Sequence, residues 1–251
     1  MSRGIASLCL AGLAFVGCAT PPEFESRVAF GSARSDDLEL AVQLAQTGNE
    51  LAPRICELLH VEPAPFVIWH VPDVPAAEFL VERGPTGQIL SRRIDIGDVG
   101  ARRQMRFLIG HELVHWYARG VWDRLPHAVE EGLADELGLR FSEDLRLLRG
   151  TELAVALASV TPERRARVLA VNERSWKSAS AELRFDAYAV GFEMVQRIGV
   201  DGLRALCERA EDEGLERVPV AWLGAPQPEG ASDAWKLRLE LPPASVQASR
   251  R

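Results

Sequence analysis

The chain has 251 residues, 47% of them hydrophobic and 26% charged, with a net charge of −7. That balance excludes a disordered chain and supplies enough apolar side chains for one domain with a sizeable core. The acidic sign, with only isolated arginine pairs (Arg92-Arg93, Arg102-Arg103, Arg164-Arg165) in place of a long basic run, excludes a surface built to track phosphates, so no nucleic-acid partner is expected.

At the start of the chain Arg3 precedes an apolar run from Ile5 to Val16, too short to span a bilayer as a mature helix, and Gly17-Cys18 follows. Phe15-Val16-Gly17-Cys18 resembles the bacterial lipobox, in which a small residue precedes a cysteine that is diacylated and becomes the new N-terminus, although Phe15 stands where leucine is usual. The resemblance implies a signal peptide over 1–17, lipidation at Cys18, and a lipid-anchored location in the cell envelope, on its periplasmic or outer-membrane face. An ordinary secretory signal cut nearby is the alternative. Cys56 and Cys207 are then left, and both a disulfide and two separate buried thiols are open to them.

Residues 19–35 contain Pro, Ser and Glu without clear periodicity, so 18–35 is read as a tether holding a domain, 36–241, off the membrane. A capping box at Asp36 and Glu39 predicts a helix with Leu38, Val42 and Ala45 on one side. Gly48 and Pro53 predict a kink or break in it before Ile55, Leu58 and Leu59. The run from Pro65 to Val71 is apolar, β-branched and aromatic, and reads as a strand, as do Gln88–Leu90 and Arg93–Ile96 around turns at Gly84-Pro85 and Gly97. A small sheet is therefore expected ahead of the next helix.

That helix carries His111-Glu112-Leu113-Val114-His115. HExxH on a helix puts two imidazoles one turn apart on a single face with a carboxylate beside them, the pattern of a zinc site with its own general base. The flanks are apolar: Phe107, Leu108, Ile109 and Gly110 precede the motif, Trp116 and Tyr117 follow it, and Glu112 is the sole carboxylate between Arg106 and Arg119. A carboxylate is costly to bury there unless a metal, proton or substrate engages it. A turn from Gly120 to Pro126 leads into a second helix, with Pro126 at its first turn, containing Glu130-Glu131-Gly132-Leu133-Ala134-Asp135.

HExxH followed by a helix with Glu-Gly-Leu-Ala and then Asp resembles the glutamate-zincin (gluzincin) metallopeptidases of the peptidase MA-like kind. The resemblance covers mainly Phe107–Leu137, with weaker support to Gly199. It implies a small α+β, thermolysin-like zincin domain, in which an N-terminal helix and a small sheet precede a mainly helical half. It also implies Zn2+ held by His111, His115 and Glu131, Glu112 as general base on the zinc's water, and Asp135 hydrogen-bonded to a ligand histidine. The edge strand of the sheet would pair with an extended peptide or protein substrate. Glu131 and Asp135 stand i and i+4 and so share a helix face, and a carboxylate behind a ligand imidazole fixes its tautomer. Gly132, Ala128 and Ala134 are expected to let this helix approach the zinc helix closely.

Two departures are visible: Ala128 stands where many of these proteases have tryptophan, and only fifteen residues separate His115 from Glu131. Glu130 is the rival ligand, but its i+4 neighbour is Ala134, so Glu131 is preferred; a solvated Glu-Glu run is the plain reading of the pair.

Further on, Thr161-Pro162-Glu163 signals a helix start, and Ala181–Ile198 and Asp201–Ala210 carry helical spacing. Phe185 to Phe192 is similar to the helix downstream of the ligands in many gluzincins, which makes Tyr188 a candidate hydroxyl donor to an oxyanion, with a core-edge tyrosine as the alternative. Asp233–Leu241 is expected to dock as a last element, with a loose tail over 242–251, and His60, His70 and His127 carry no assignment. The expected activity is zinc-dependent peptide-bond hydrolysis in the envelope. The alternative is a non-catalytic envelope lipoprotein of the same fold that binds a protein or cell-wall partner.

Overall fold

Phe24–Val28 (β1) and Gly31–Ser35 (β2) pair as an antiparallel hairpin, so the tether expected over 18–35 gives way to sheet within a few residues. Apart from Phe24 and Val28 its strands are built from small and charged residues. Glu25 takes Arg27 and Arg34 at 3.0 Å each, and Ala33 and Ser35 turn inward to full burial. Gly31 lets the hairpin lie against the next strand, because a Cβ there would collide with the backbone and ring of Phe66.

These features come from a computed structural model that describes residues 23–224 apart from 75, 87, 99–101, 173, 174 and 177. The expected signal peptide, Cys18, and the Asp233–Leu241 element with its tail lie outside the described residues.

Helix α1 (Leu38–Leu59) begins at Asp37, whose Oδ1 accepts the Glu39 and Leu40 amides at 2.8 and 3.2 Å. Asp36, the expected cap, instead accepts the Glu23 amide at 3.0 Å. The helix also runs through Gly48 and Pro53 without ending. Leu51, Ala52 and Ile55 are fully buried on both sides of the proline, and their burial offsets the lost backbone hydrogen bond.

The sheet continues with β3 (Phe66–His70), β4 (Ala77–Arg83) and β5 (Ile89–Ile96), in the order β1-β2-β3-β5-β4. Two of its pairings, β2–β3 and β3–β5, are parallel, with α1 crossing between β2 and β3. β4 was missed by the sequence reading, and the two short strands expected around Ser91-Arg92 are one strand. Ser91 stays in register by donating to Glu82 at 2.7 Å across the β4–β5 hairpin.

The helical half follows: α2 (Arg102–Tyr117), a 3-10 turn over Gly120–Arg124, α3 (His127–Arg140), α4 (Glu143–Ser159), α5 (Pro162–Leu169), α6 (Ala181–Ile198), α7 (Val200–Asp212) and α8 (Val220–Gly224). The architecture is α+β, with the sheet ahead of the helices as expected. Thr161 caps α5 through its Oγ1, with Pro162 in the first turn, also as expected. Cys56 and Cys207 are separate buried thiols, both pushed up to about 12 by burial. No helix among the described residues is long and apolar enough to cross a membrane.

Two glycine crossings set the helix spacing around α3. Where α2 meets α3, a Cβ on Gly110 would lie 3.1 Å from Gly138 Cα, and one on Gly138 would lie 3.0 Å from Phe107 O. Where α3 meets α6, a Cβ on Gly132 would collide with the backbone of Gly191, and one on Gly191 with the Ala128 carbonyl. The expectation that Gly132 serves the approach of α3 to α2 is therefore corrected: Gly132 faces α6, and Gly138, six residues later, faces α2. The period of 3.6 residues puts the two glycines on different faces.

Candidate metal centre

His111 and His115 sit one turn apart on α2, within a buried run from Ile109 to Ala118. Their Nε2 atoms lie 3.3 Å from each other, and Glu131 Oε2 from α3 lies 3.5 Å from the first and 3.7 Å from the second. The three donor atoms all fall within 4.8 Å of one another. The opposite ring nitrogens are engaged: His111 Nδ1 is 3.0 Å from Asp135 Oδ1 and His115 Nδ1 is 3.1 Å from Glu130 Oε1. Each imidazole thus has a carboxylate behind Nδ1, which leaves Nε2 to face the shared point, the arrangement that fixes the tautomer of a ligand histidine.

Glu130 stands apart from the group of facing donor atoms: its Oε1 lies on the far nitrogen of His115, and the side chain is part-buried rather than solvated. Adjacent residues on a helix diverge by about 100°, so Glu131 and Glu130 reach opposite nitrogens of the same facing ring. That division of labour was the signal available in the Glu-Glu pair.

The charges respond to this packing. Burial opposes the charge on His111, yet Asp135 and Glu131 outweigh it and raise the imidazole to about 9. His115 is raised in the same way, by Glu131 and Glu130 against burial. Burial would likewise raise Glu131 and Glu130, but the imidazoles beside them hold both carboxyls well below the ordinary range. Two nitrogen donors and a carboxylate oxygen, buried and held from behind, fit a borderline divalent cation such as zinc.

Glu112 behaves differently. It is 6% exposed, burial raises its carboxyl against the pull of both histidines, and no hydrogen bond or ion pair among the described residues engages it. Glu78, on β4, adds a further negative charge nearby. β4 is the edge strand on this side of the sheet, and it packs on α2 through Phe79 and Trp116, with ring centroids 5.8 Å apart.

Tyr188 lies at the centre on α6, its ring edge-on to His111 at 6.3 Å, and its hydroxyl has no hydrogen-bond partner among the described residues. Burial, with Glu131 and Asp135 nearby, raises its pKa. Trp176 packs edge-on against Tyr188 at 5.6 Å and against His127 at 4.7 Å. Arg149 of α4 reaches Asp135 Oδ2 at 3.5 Å and lies over the Phe185 and Tyr188 rings. Arg149 and Trp176 were invisible in the sequence, because their place depends on how α4 and the segment before α6 fold back.

Of the three unassigned histidines, His60 pairs with Asp201 at 3.0 Å on the surface. His70 is satisfied by Ser35 at 3.3 Å and Asp98 at 2.9 Å, the ordinary fate of a lone histidine. His127 stands beside Glu130 and Glu131.

No family model matches this chain, and no curated protein does so either.

Proposed function

We propose that this chain is a zinc-dependent metallopeptidase of the glutamate-zincin type, acting on peptide or protein substrates in a bacterial cell envelope to which a lipid on Cys18 anchors it. The observation that carries the reading is Glu112: a buried carboxylate without a hydrogen-bond or ion-pair partner among the described residues, adjacent to His111 in the buried His111, His115 and Glu131 group. A purely structural metal site has no use for such a group, whereas hydrolysis needs a base there.

His111, His115 and Glu131 would hold the cation, and Asp135 and Glu130 keep the two imidazoles turned toward it. A zinc ion bound by three protein ligands polarises a carbonyl and acidifies a water. Glu112 takes a proton from the attacking water on its carboxylate and delivers it to the departing amine nitrogen, so the carboxylate is regenerated each cycle. Tyr188, whose hydroxyl lacks a partner among the described residues, donates to the oxyanion that develops on the former carbonyl. An extended substrate lies along the open edge of β4, its backbone pairing as a further strand.

The test is joint. Purified protein should carry about one equivalent of zinc per chain. It should cleave an unstructured protein such as casein, lose that activity to a chelator and regain it with added zinc. Zinc-loaded protein that cleaves nothing across varied peptides contradicts the reading and favours a binding role for the same fold.

A further inference from the structure

His127 opens α3 directly after Pro126. Its Nε2 lies 3.4 Å from Glu131 Oε1, the oxygen turned away from His111 and His115, and its Nδ1 lies 3.7 Å from Glu130 Oε2, the oxygen turned away from His115. Positions i, i+3 and i+4 share one helix face, so a single ring at the first turn reaches the outer oxygens of both carboxylates. The ring is 13% exposed and braced edge-on by Trp176. Its Nε2 is buried without a formed hydrogen bond: 3.4 Å is contact distance, short of the 2.7–3.2 Å of a made bond. A buried ring nitrogen aimed at a carboxylate calls for a function.

We propose that His127 is a positioning residue whose Nε2–H is turned to the outer oxygen of Glu131, so that Glu131 offers one oxygen rather than two to the cation. This deepens the metallopeptidase reading and rests on it. A carboxylate free to rotate offers both oxygens and fills the coordination position that a water or carbonyl needs, whereas one held from behind stays monodentate. Trp176 packs edge-on against the ring and fixes its plane.

The experiment uses the full chain with cobalt(II) in place of zinc, since cobalt(II) absorbs more intensely in a four-coordinate than in a five-coordinate site. His127→Phe fills the place beside Trp176 without a donor, and His127→Gln keeps one. His127→Phe is expected to bind cobalt about 10- to 100-fold more weakly than wild type and with a weaker visible spectrum, and His127→Gln to restore most of both. Far-UV circular dichroism checks the fold, and His127→Leu replaces the phenylalanine variant if that one does not fold. A spectrum and affinity unchanged in the donor-free variant, with wild type binding one cobalt per chain, overturn the role of His127 alone. Wild type that binds no cobalt, like His111→Ala, overturns the metallopeptidase reading and this inference with it.

Discussion

Two adjacent glutamates on α3 serve the same imidazole from opposite sides. Glu131 Oε2 faces His115 Nε2 at 3.7 Å and Glu130 Oε1 holds its Nδ1 at 3.1 Å. Their substitutions should therefore separate. Glu131→Ala removes a donor and should abolish stoichiometric zinc binding, as should His111→Ala. Glu130→Gln leaves all three donors and should keep one zinc per chain while weakening its affinity about 10- to 100-fold. Metal analysis with a competing chelator reads both numbers. Full zinc in Glu131→Ala alongside loss in Glu130→Gln would reverse the ligand assignment. Asp135 does for His111 what Glu130 does for His115, and Arg149 in turn neutralises Asp135 at 3.5 Å.

At the scale of elements, the site exists because three helices meet with almost nothing between them. Gly110 and Gly138 bring α3 onto α2, and Gly132 and Gly191 bring α6 onto α3. Gly132→Ala puts a methyl into the backbone of α6, so it should cost 1–3 kcal/mol or more and displace Glu131, one residue away. Thermal unfolding should show a drop of several degrees, and zinc affinity should fall with it. A variant with wild-type melting temperature and zinc binding would mean that the crossing is looser than described. The two helices that carry the facing donors were legible in the sequence, because HExxH and Glu-Gly-Leu-Ala are local patterns that tertiary contacts only reinforce. β1, β2 and β4 were not. Their apolar residues are interrupted by charges, Arg34, Glu78 and Glu82 among them, and their stability comes from pairing with neighbouring strands and from Phe79 resting on Trp116. The shift of the α1 cap from Asp36 to Asp37 has the same origin, since the Glu23 amide claims Asp36. Glu130 was readable only as a rival ligand, and His127 carried no assignment, because a role set by a facing helix leaves no periodic trace in its own.

For the whole molecule, the buried cluster ties stability to pH. His111 is raised from 6.5 to about 9 in the folded metal-free chain, so the stability it contributes is complete below 6.5 and is lost as pH rises toward 9. Metal-free protein should accordingly melt at lower temperature at pH 9 than at pH 6.5, by an amount corresponding to a few kcal/mol at most. A bound zinc would engage the deprotonated imidazoles, so loaded protein should not show that decline, and a melting temperature flat with pH in the chelated protein would contradict the cluster's electrostatics. The proposed lipidation at Cys18 predicts that wild type partitions into detergent and Cys18→Ala into the aqueous phase. Equal release of both into the soluble fraction would remove the anchor from the account. The most direct measurement compares cleavage of an unstructured protein by wild type and by Glu112→Gln at matched zinc loading. The amide keeps the size of the side chain but cannot take the proton, and the three donors are untouched. Zinc content and fold should be retained, and cleavage should fall by about 100- to 10,000-fold. Cleavage by Glu112→Gln at the wild-type rate would contradict the proposed mechanism.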